Sequence, residues 1–204
     1  LAEYYELGAR CAKWRALITI GEGRPSDNAI RTNMHALGRY SVLCQEQGIV
    51  PIVEPEVLMD GSHSIDDCRS ATDRSLRAAF EELDAQNVDL EGIVLKPNMV
   101  ISGAGCATQA DIDTVAARTV RCMHRTVPAA VPGIVFLAGG QNREVATAHL
   151  NAMNANHGPH PWKLSFSYGR TLQDLALETW SGSNDKAKAA QDVLFGRAKA
   201  NGEA

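Results

Sequence analysis

The sequence has no apolar run long enough to cross a membrane. Its longest hydrophobic stretches are strand-sized, no signal-peptide pattern opens it, and no lipidation motif closes it. Export and membrane anchoring therefore find no support, and a cytoplasmic location is the default expectation. Aromatic residues are scarce at 5%, and no basic stripe with interleaved aromatics appears, so a nucleic-acid surface is not expected either. The cysteines Cys11, Cys44, Cys68, Cys106 and Cys122 are few, odd in number and without CxxC or CxxH grouping, which predicts reduced thiols and no structural metal. His35, His63, His124, His149, His157 and His160 show no ligand spacing, and the last pair reads as loop residues around Gly158 and Pro159. No metal or cofactor is called for. What is present is an ordinary globular composition, 45% hydrophobic and 22% charged over 204 residues with a net charge of −4. That is enough for a single domain over 1–204 with a sizeable core. Small molecules and further copies of the chain are the expected partners.

A strand-then-helix grammar recurs along the chain. Leu1 to Leu7 reads as the end of a helix that Gly8 stops. Ala9 to Arg15 follows as a strand, with Lys13 and Arg15 on one face and Trp14 on the other because strand side chains alternate. Ser26 is placed to cap a helix whose inner face is Ile30, Met34, Leu37, Ser41 and Cys44 and which ends at Gly48. Ile49 to Val53 is β-branched and ends at Pro55, leaving Glu54 and Glu56 two apart on one face. Ser64 and Asp67 form a capping-box pair ahead of the stripe Cys68, Thr72, Leu76, Ala79 and Leu83. The apolar run from Leu90 then delivers Lys96 to Pro97, which stops the strand and favours extended geometry at the lysine.

Two more cycles complete the pattern. Thr108 and Asp111 open a helix carrying Ile112, Val115, Thr119 and Met123, and Pro132 to Leu137 is a strand ending in Ala138-Gly139-Gly140-Gln141. A helix through Val145 and Leu150 follows. Trp162 to Phe166 is a strand ending in Ser167-Tyr168-Gly169-Arg170, and a helix carries Leu172, Leu175 and Trp180. Residues 184 to 200 read as one more surface helix, so that 184–204 form a C-terminal helix and tail. The strand tips recur at the spacing of consecutive right-handed βα units. Five such units are fewer than an eight-stranded barrel of roughly 250 residues needs. An open sheet would expose two edges, so the expectation is a portion of a longer polypeptide.

The tips collect Lys13, Arg15, Glu54, Glu56, Lys96, Gly139, Gly140, Gly169 and Arg170. Singly, each has a plain reading: a lysine leaving a core strand, an acidic rim, a Gly-Gly turn that is only a turn, a solvated arginine. At successive tips of one α/β fold they acquire a joint chemistry. A neutral lysine amine adds to a carbonyl, and a neighbouring cation such as Lys13 favours that neutral form. A carboxylic acid such as Glu54 supplies the proton that expels water and leaves an iminium, an electron sink for breaking or forming a carbon–carbon bond. Glycine turns bring backbone N–H groups close to a phosphate at a helix start.

The segments Ala12-Lys13-Trp14-Arg15, Val50 to Glu56, Leu95 to Val100, Phe136 to Gln141 and Phe166 to Arg170 together resemble the class I fructose-bisphosphate aldolases, in the correct order over nearly the whole chain. The resemblance implies a (β/α)8 TIM barrel, of which this chain carries about the last five βα units plus a C-terminal helix. It implies reversible cleavage of fructose 1,6-bisphosphate to dihydroxyacetone phosphate and glyceraldehyde 3-phosphate through a lysine Schiff base, in glycolysis and gluconeogenesis, usually by a homotetramer. Lys96 matches the Schiff-base lysine and Glu54 the general acid/base, while Lys13 and Glu56 match their charged partners. Arg15 is similar to a residue near the second phosphate. Ala138, Gly139, Gly140, Gly169 and Arg170 match the binding site of the ketose phosphate, where the family has serine in place of Ala138. Nor does the chain show the C-terminal tyrosine used by vertebrate members. The family's first three βα units, with an aspartate and a further lysine of the site, have no counterpart here. A Schiff-base aldolase for a sugar monophosphate and a catalytically incomplete barrel piece with a binding role stay open as alternatives. A zinc-dependent aldolase is disfavoured by the scattered histidines.

Overall fold

The computed structural model describes all 204 residues. A short helix α1 (Ala2–Glu6) precedes strand β1 (Cys11–Ile18), helix α2 (Asp27–Gln45), strand β2 (Val50–Val57) and helix α3 (Ile65–Ala85). Strand β3 (Val94–Leu95), α4 (Ile112–Thr126), β4 (Gly133–Phe136), α5 (Arg143–His157), β5 (Lys163–Phe166), α6 (Arg170–Trp180) and α7 (Ala187–Glu203) follow. All pairings are parallel and the sheet order is β1-β2-β3-β4-β5. A sheet whose order matches the chain is wound in one direction, as in a barrel, whereas a doubly wound sheet reverses at a switch point. One edge of β1 and one of β5 have no strand partner.

The helix starts follow the chemistry expected of them. The Ser26 hydroxyl accepts from the Ala29 amide at 3.1 Å. Ser64 and Asp67 complete a reciprocal capping box, with bonds of 2.9 Å from the Ser64 amide and 3.2 Å from the Asp67 amide. Hydrogen bonds from Ser64 hold the Asp67 carboxyl below its ordinary pKa. The inner stripes of α2 and α3 are buried as their spacing predicts. Ile30, Met34 and Leu37 of α2 and Cys68, Leu76, Ala79 and Leu83 of α3 pack with Ala16, Ile18, Val53, Val57, Leu95, Ile134 and Phe136 of the sheet into one core, while Cys44 joins Tyr40 and Ile49 in a second, small cluster. Trp14 points away from Lys13 and Arg15, edge-on to Tyr40 with ring centroids 5.5 Å apart.

Several boundaries differ from expectation. Strand β1 continues past Arg15 to Ile18, and β2 runs through Pro55 to Val57. The even residues of β2 bond toward β1, as the Val50 and Leu58 amides do to Arg10 and Ile18 at 2.9 Å each. The odd residues face β3, where Val53 accepts from Lys96 at 2.8 Å. Pro51 and Pro55 are odd, and the ladder to β3 covers only Ile52 and Val53, so their missing N–H groups interrupt nothing. Leu90–Gly92 is a 3-10 turn rather than strand, started by the Asp89 carboxylate on the Glu91 amide at 3.0 Å, which leaves β3 two residues long. Ile112, Val145 and Trp180 are exposed, each in the first or last turn of its helix.

Candidate active site

Parallel pairing sets Arg15 opposite Glu54 and Leu17 opposite Glu56. Alternation then turns Lys13, Arg15, Glu54 and Glu56 to the sheet face away from α2 and α3. Lys13 and Arg15 thus stand along β1 and not at its end, since the strand ends three residues later than its sequence suggests. Lys96 directly follows β3, as a lysine before proline should. Its Nζ is 3.3 Å from Glu54 Oε1, and Lys13 Nζ is 3.0 Å from Glu54 Oε2. One carboxylate, 4% exposed, is therefore shared by two amines. The contact at Oε2 is an ion pair without hydrogen-bond alignment, so that oxygen keeps acceptor capacity. Glu56 is as deeply buried and binds the Arg15 guanidinium, whose pKa that bond raises further, keeping it charged.

Asn98, two residues beyond Lys96, fixes the lysine loop against the glutamate strand. Its Oδ1 accepts from the Val57 amide at 2.9 Å, and its Nδ2 donates to Thr72 Oγ1 and to the Met99 carbonyl at 3.0 Å each. Further along, the Gly103, Ala104 and Gly105 amides bond to His63, Met59 and Gly61 in the loop after β2. Only glycine fits at Gly103, where a Cβ would come within 2.5 Å of the Gly61 carbonyl oxygen. Asn98 lies in the segment after Lys96, but nothing in the sequence marks its role. The Gly61–Gly103 approach had no local signal.

The facing wall is built from backbone. Ala138 to Gln141 is a tight turn closed by the Gln141 amide on the Ala138 carbonyl at 3.0 Å, with Gly139 and Gly140 at φ of 61° and 94°. Two successive positive φ values favour glycine above other residues. Helix α6 begins on Gly169 with no side-chain cap, so its first amides and Arg170 are presented to the same space, a favourable position for an anion.

The two walls enclose a cleft of about 520 Å3. It is lined by all ten residues singled out from the sequence: Lys13, Arg15, Glu54, Glu56, Lys96, Ala138, Gly139, Gly140, Gly169 and Arg170. It also takes in residues not singled out, among them Gln141, Arg143, Ser167, Thr171, Asp174 and Glu178. Asp174 and Glu178 follow Arg170 at intervals of four, one helix face, and that spacing was a usable signal. Elsewhere, His124 and His160, far apart in sequence, meet with ring centroids 5.6 Å apart, and burial lowers the His124 pKa.

A lysine cluster on a buried glutamate, opposite glycine turns at the strand ends of a sequentially wound parallel sheet, defines an α/β barrel-type protein with its site at the C-terminal edge of the strands. The family model for class I fructose-bisphosphate aldolase matches residues 1–204. A probable class 1 fructose-bisphosphate aldolase of Xanthomonas campestris is 57% identical over 204 residues, covering 99% of this chain and 60% of the relative. The cytoplasmic isozyme 2 of Pisum sativum is 53% identical over 202 residues, with 99% and 56% covered. In structure, the aldolase of Plasmodium falciparum, solved as a ternary complex with TRAP and a small-molecule inhibitor, superimposes with a TM-score of 0.96 at 48% identity, over 98% of this chain and 58% of that one. The chain belongs to the class I fructose-bisphosphate aldolase family, and its five βα units are part of the family's barrel. It spans about 60% of the length of the relatives it matches.

Proposed function

We propose that the polypeptide carrying this chain is a class I fructose-bisphosphate aldolase that works through a Schiff base at Lys96. The observation that carries the reading is the 3.3 Å approach of Lys96 Nζ to the buried Glu54 carboxylate, in a cleft whose other wall is made of glycine amides and a helix start. The neutral Lys96 amine adds to the C2 carbonyl of the ketose, forming a C–N bond and a carbinolamine. Glu54, holding the proton that Lys96 gives up on becoming neutral, passes it to the C2 hydroxyl, which leaves as water and generates the iminium. The Glu54 carboxylate left by that step takes the C4 hydroxyl proton, and the C3–C4 bond breaks, with its electron pair passing to the iminium to give an enamine and releasing the aldehyde. Protonation at C3 and hydrolysis then free the second triose phosphate and the lysine. Lys13 and Glu56 hold the charge balance around Glu54. Gly139, Gly140, Gly169 and Arg170 take one phosphate, with Ala138 beside them, and Arg15 lies toward the other.

The substrates are accordingly sugar bisphosphate and triose phosphates, the assembly is a homotetramer, and no metal or cofactor takes part. Residues 1–204 belong to one domain, completed by barrel units beyond those described, with 184–204 as its C-terminal helix and tail. The setting is glycolysis and gluconeogenesis in the cytoplasm. The plant relatives are named cytoplasmic or cytosolic isozymes, and no helix is long and apolar enough to cross a membrane. Borohydride reduction with dihydroxyacetone phosphate is expected to leave a covalent adduct at Lys96 in the intact polypeptide, located by peptide mass. Absence of that adduct overturns the proposal.

A further inference from the structure

Behind the glycine wall lies a chain of hydrogen bonds that reaches into α5. His149 is buried, and its Nδ1 is 2.8 Å from Gln141 Oε1. The Gln141 side chain in turn donates from Nε2 to the Ala138 carbonyl at 2.9 Å, and the Gln141 backbone amide donates to the same oxygen at 3.0 Å. Both acceptor sites of that carbonyl are thus occupied by one residue. This polarity fixes the remaining atoms: with Nε2 donating to Ala138, Oε1 is an acceptor and His149 must present Nδ1–H. A flipped amide would set carbonyl against carbonyl. Burial lowers the His149 pKa, which keeps the ring neutral and the tautomer defined.

We propose that His149 is a positioning residue for the Ala138–Gln141 turn, acting through Gln141 to hold the Gly139 and Gly140 amides in their phosphate-binding pose. Two consecutive glycines have the widest conformational freedom of any dipeptide, and the closing bond of a four-residue turn restrains them only at its ends. The Gln141 side chain adds a second restraint, but an exposed glutamine would spend it on water. His149 withdraws that freedom, because its ring is buried and donates along one direction. The inference rests on the reading of this turn as a phosphate cradle.

The test is His149→Leu against His149→Asn in the intact polypeptide, since asparagine Nδ2 falls near the place of histidine Nδ1. For His149→Leu the Gln141 amide is expected to exchange with solvent faster. The KM for fructose 1,6-bisphosphate should rise about fivefold, the worth of one buried hydrogen bond, with kcat within about twofold. His149→Asn should restore both. Gln141→Leu should reproduce the KM effect, and the double variant should show no further increase, as expected of residues acting in series. Unchanged Gln141 exchange and KM in His149→Leu, or additive effects of the two leucines, overturn the inference. If His149→Leu does not fold, failure of His149→Asn to match the parent together with an unchanged KM in Gln141→Leu does so. The borohydride adduct at Lys96 separates the two readings: loosened exchange without an adduct in the parent removes the aldolase assignment and leaves the turn's dependence on His149 standing.

Discussion

The two walls of the cleft recognise charge in different ways. The β1–β3 wall works with side chains: two lysines on one buried glutamate, an arginine on another. The β4–β5 wall works with main chain, through two left-handed glycines and an uncapped helix start, and Arg170 is its one cation among the ten residues singled out. Side chains supply groups that gain and lose protons, which bond-making at a carbonyl needs. Main-chain amides supply fixed dipoles that never titrate, which holding a phosphate through the whole cycle needs. The difference predicts that damage to the lysine–Glu54 cluster of the first wall appears in kcat and damage to the second wall in KM.

The largest expected effect is that of Lys96→Met, which removes the nucleophile while nearly preserving its stem. The rate should fall by a factor on the order of 10^3 or more, and borohydride should trap no adduct. A trapped ketose elsewhere on the chain would show that the wrong amine had been chosen. Glu54→Gln comes next, with a loss of about 10^2 to 10^4 in kcat and a small change in KM, because the amide keeps the shape but cannot deliver the proton. Since both Lys13 and Lys96 lose their shared counter-charge, thermal unfolding should be followed alongside. A loss of activity that tracked unfolding would count against a catalytic role.

On the second wall, Arg170→Ala should raise KM for the bisphosphate about 10- to 100-fold, the worth of one charge-assisted hydrogen bond, and leave kcat within a small factor. A fall in kcat at saturating substrate, with KM unmoved, would erase the division between the walls.

The first wall was largely legible in the sequence, and the reason is geometric. A period of two needs no knowledge of neighbours, so Lys13 with Arg15 and Glu54 with Glu56 declare a shared face, and Pro97 declares the end at Lys96. What failed there was strand length. Pro55 reads as a stop in the sequence, although in a parallel ladder half the amides of a strand face one neighbour. A proline on the side where that neighbour has ended costs little. The second wall was half legible. Gly139 and Gly140 announce a turn and Gly169 a helix start, but the bonds that set the turn's pose join Gln141 to His149, and those that set the lysine loop join Asn98 to Val57 and Thr72. Such contacts leave no periodic trace, because each partner obeys only its own element's pattern.

The smallest expected effect is also the sharpest test of the comparison, because it adds a side chain to the wall that works with backbone. Ala138 is buried at the start of the glycine turn, yet it lines the cleft, and its carbonyl is fully engaged by Gln141. Ala138→Ser introduces a hydroxyl beside the Gly139 and Gly140 amides without altering the turn, since serine at a position of ordinary φ costs no strain. The carbonyl being occupied, the hydroxyl has the ligand phosphate as its natural partner. KM for the phosphorylated ketose should fall about three- to tenfold with kcat unchanged, in line with one added hydrogen bond to a charged group partly offset by its desolvation. The measurement is a pair of Michaelis curves, parent against variant, with an unphosphorylated ketose as the second substrate. A gain confined to the phosphorylated substrate locates the phosphate at this turn. Equal gains for both, or none, would place it elsewhere and leave the second wall without the role its geometry suggests.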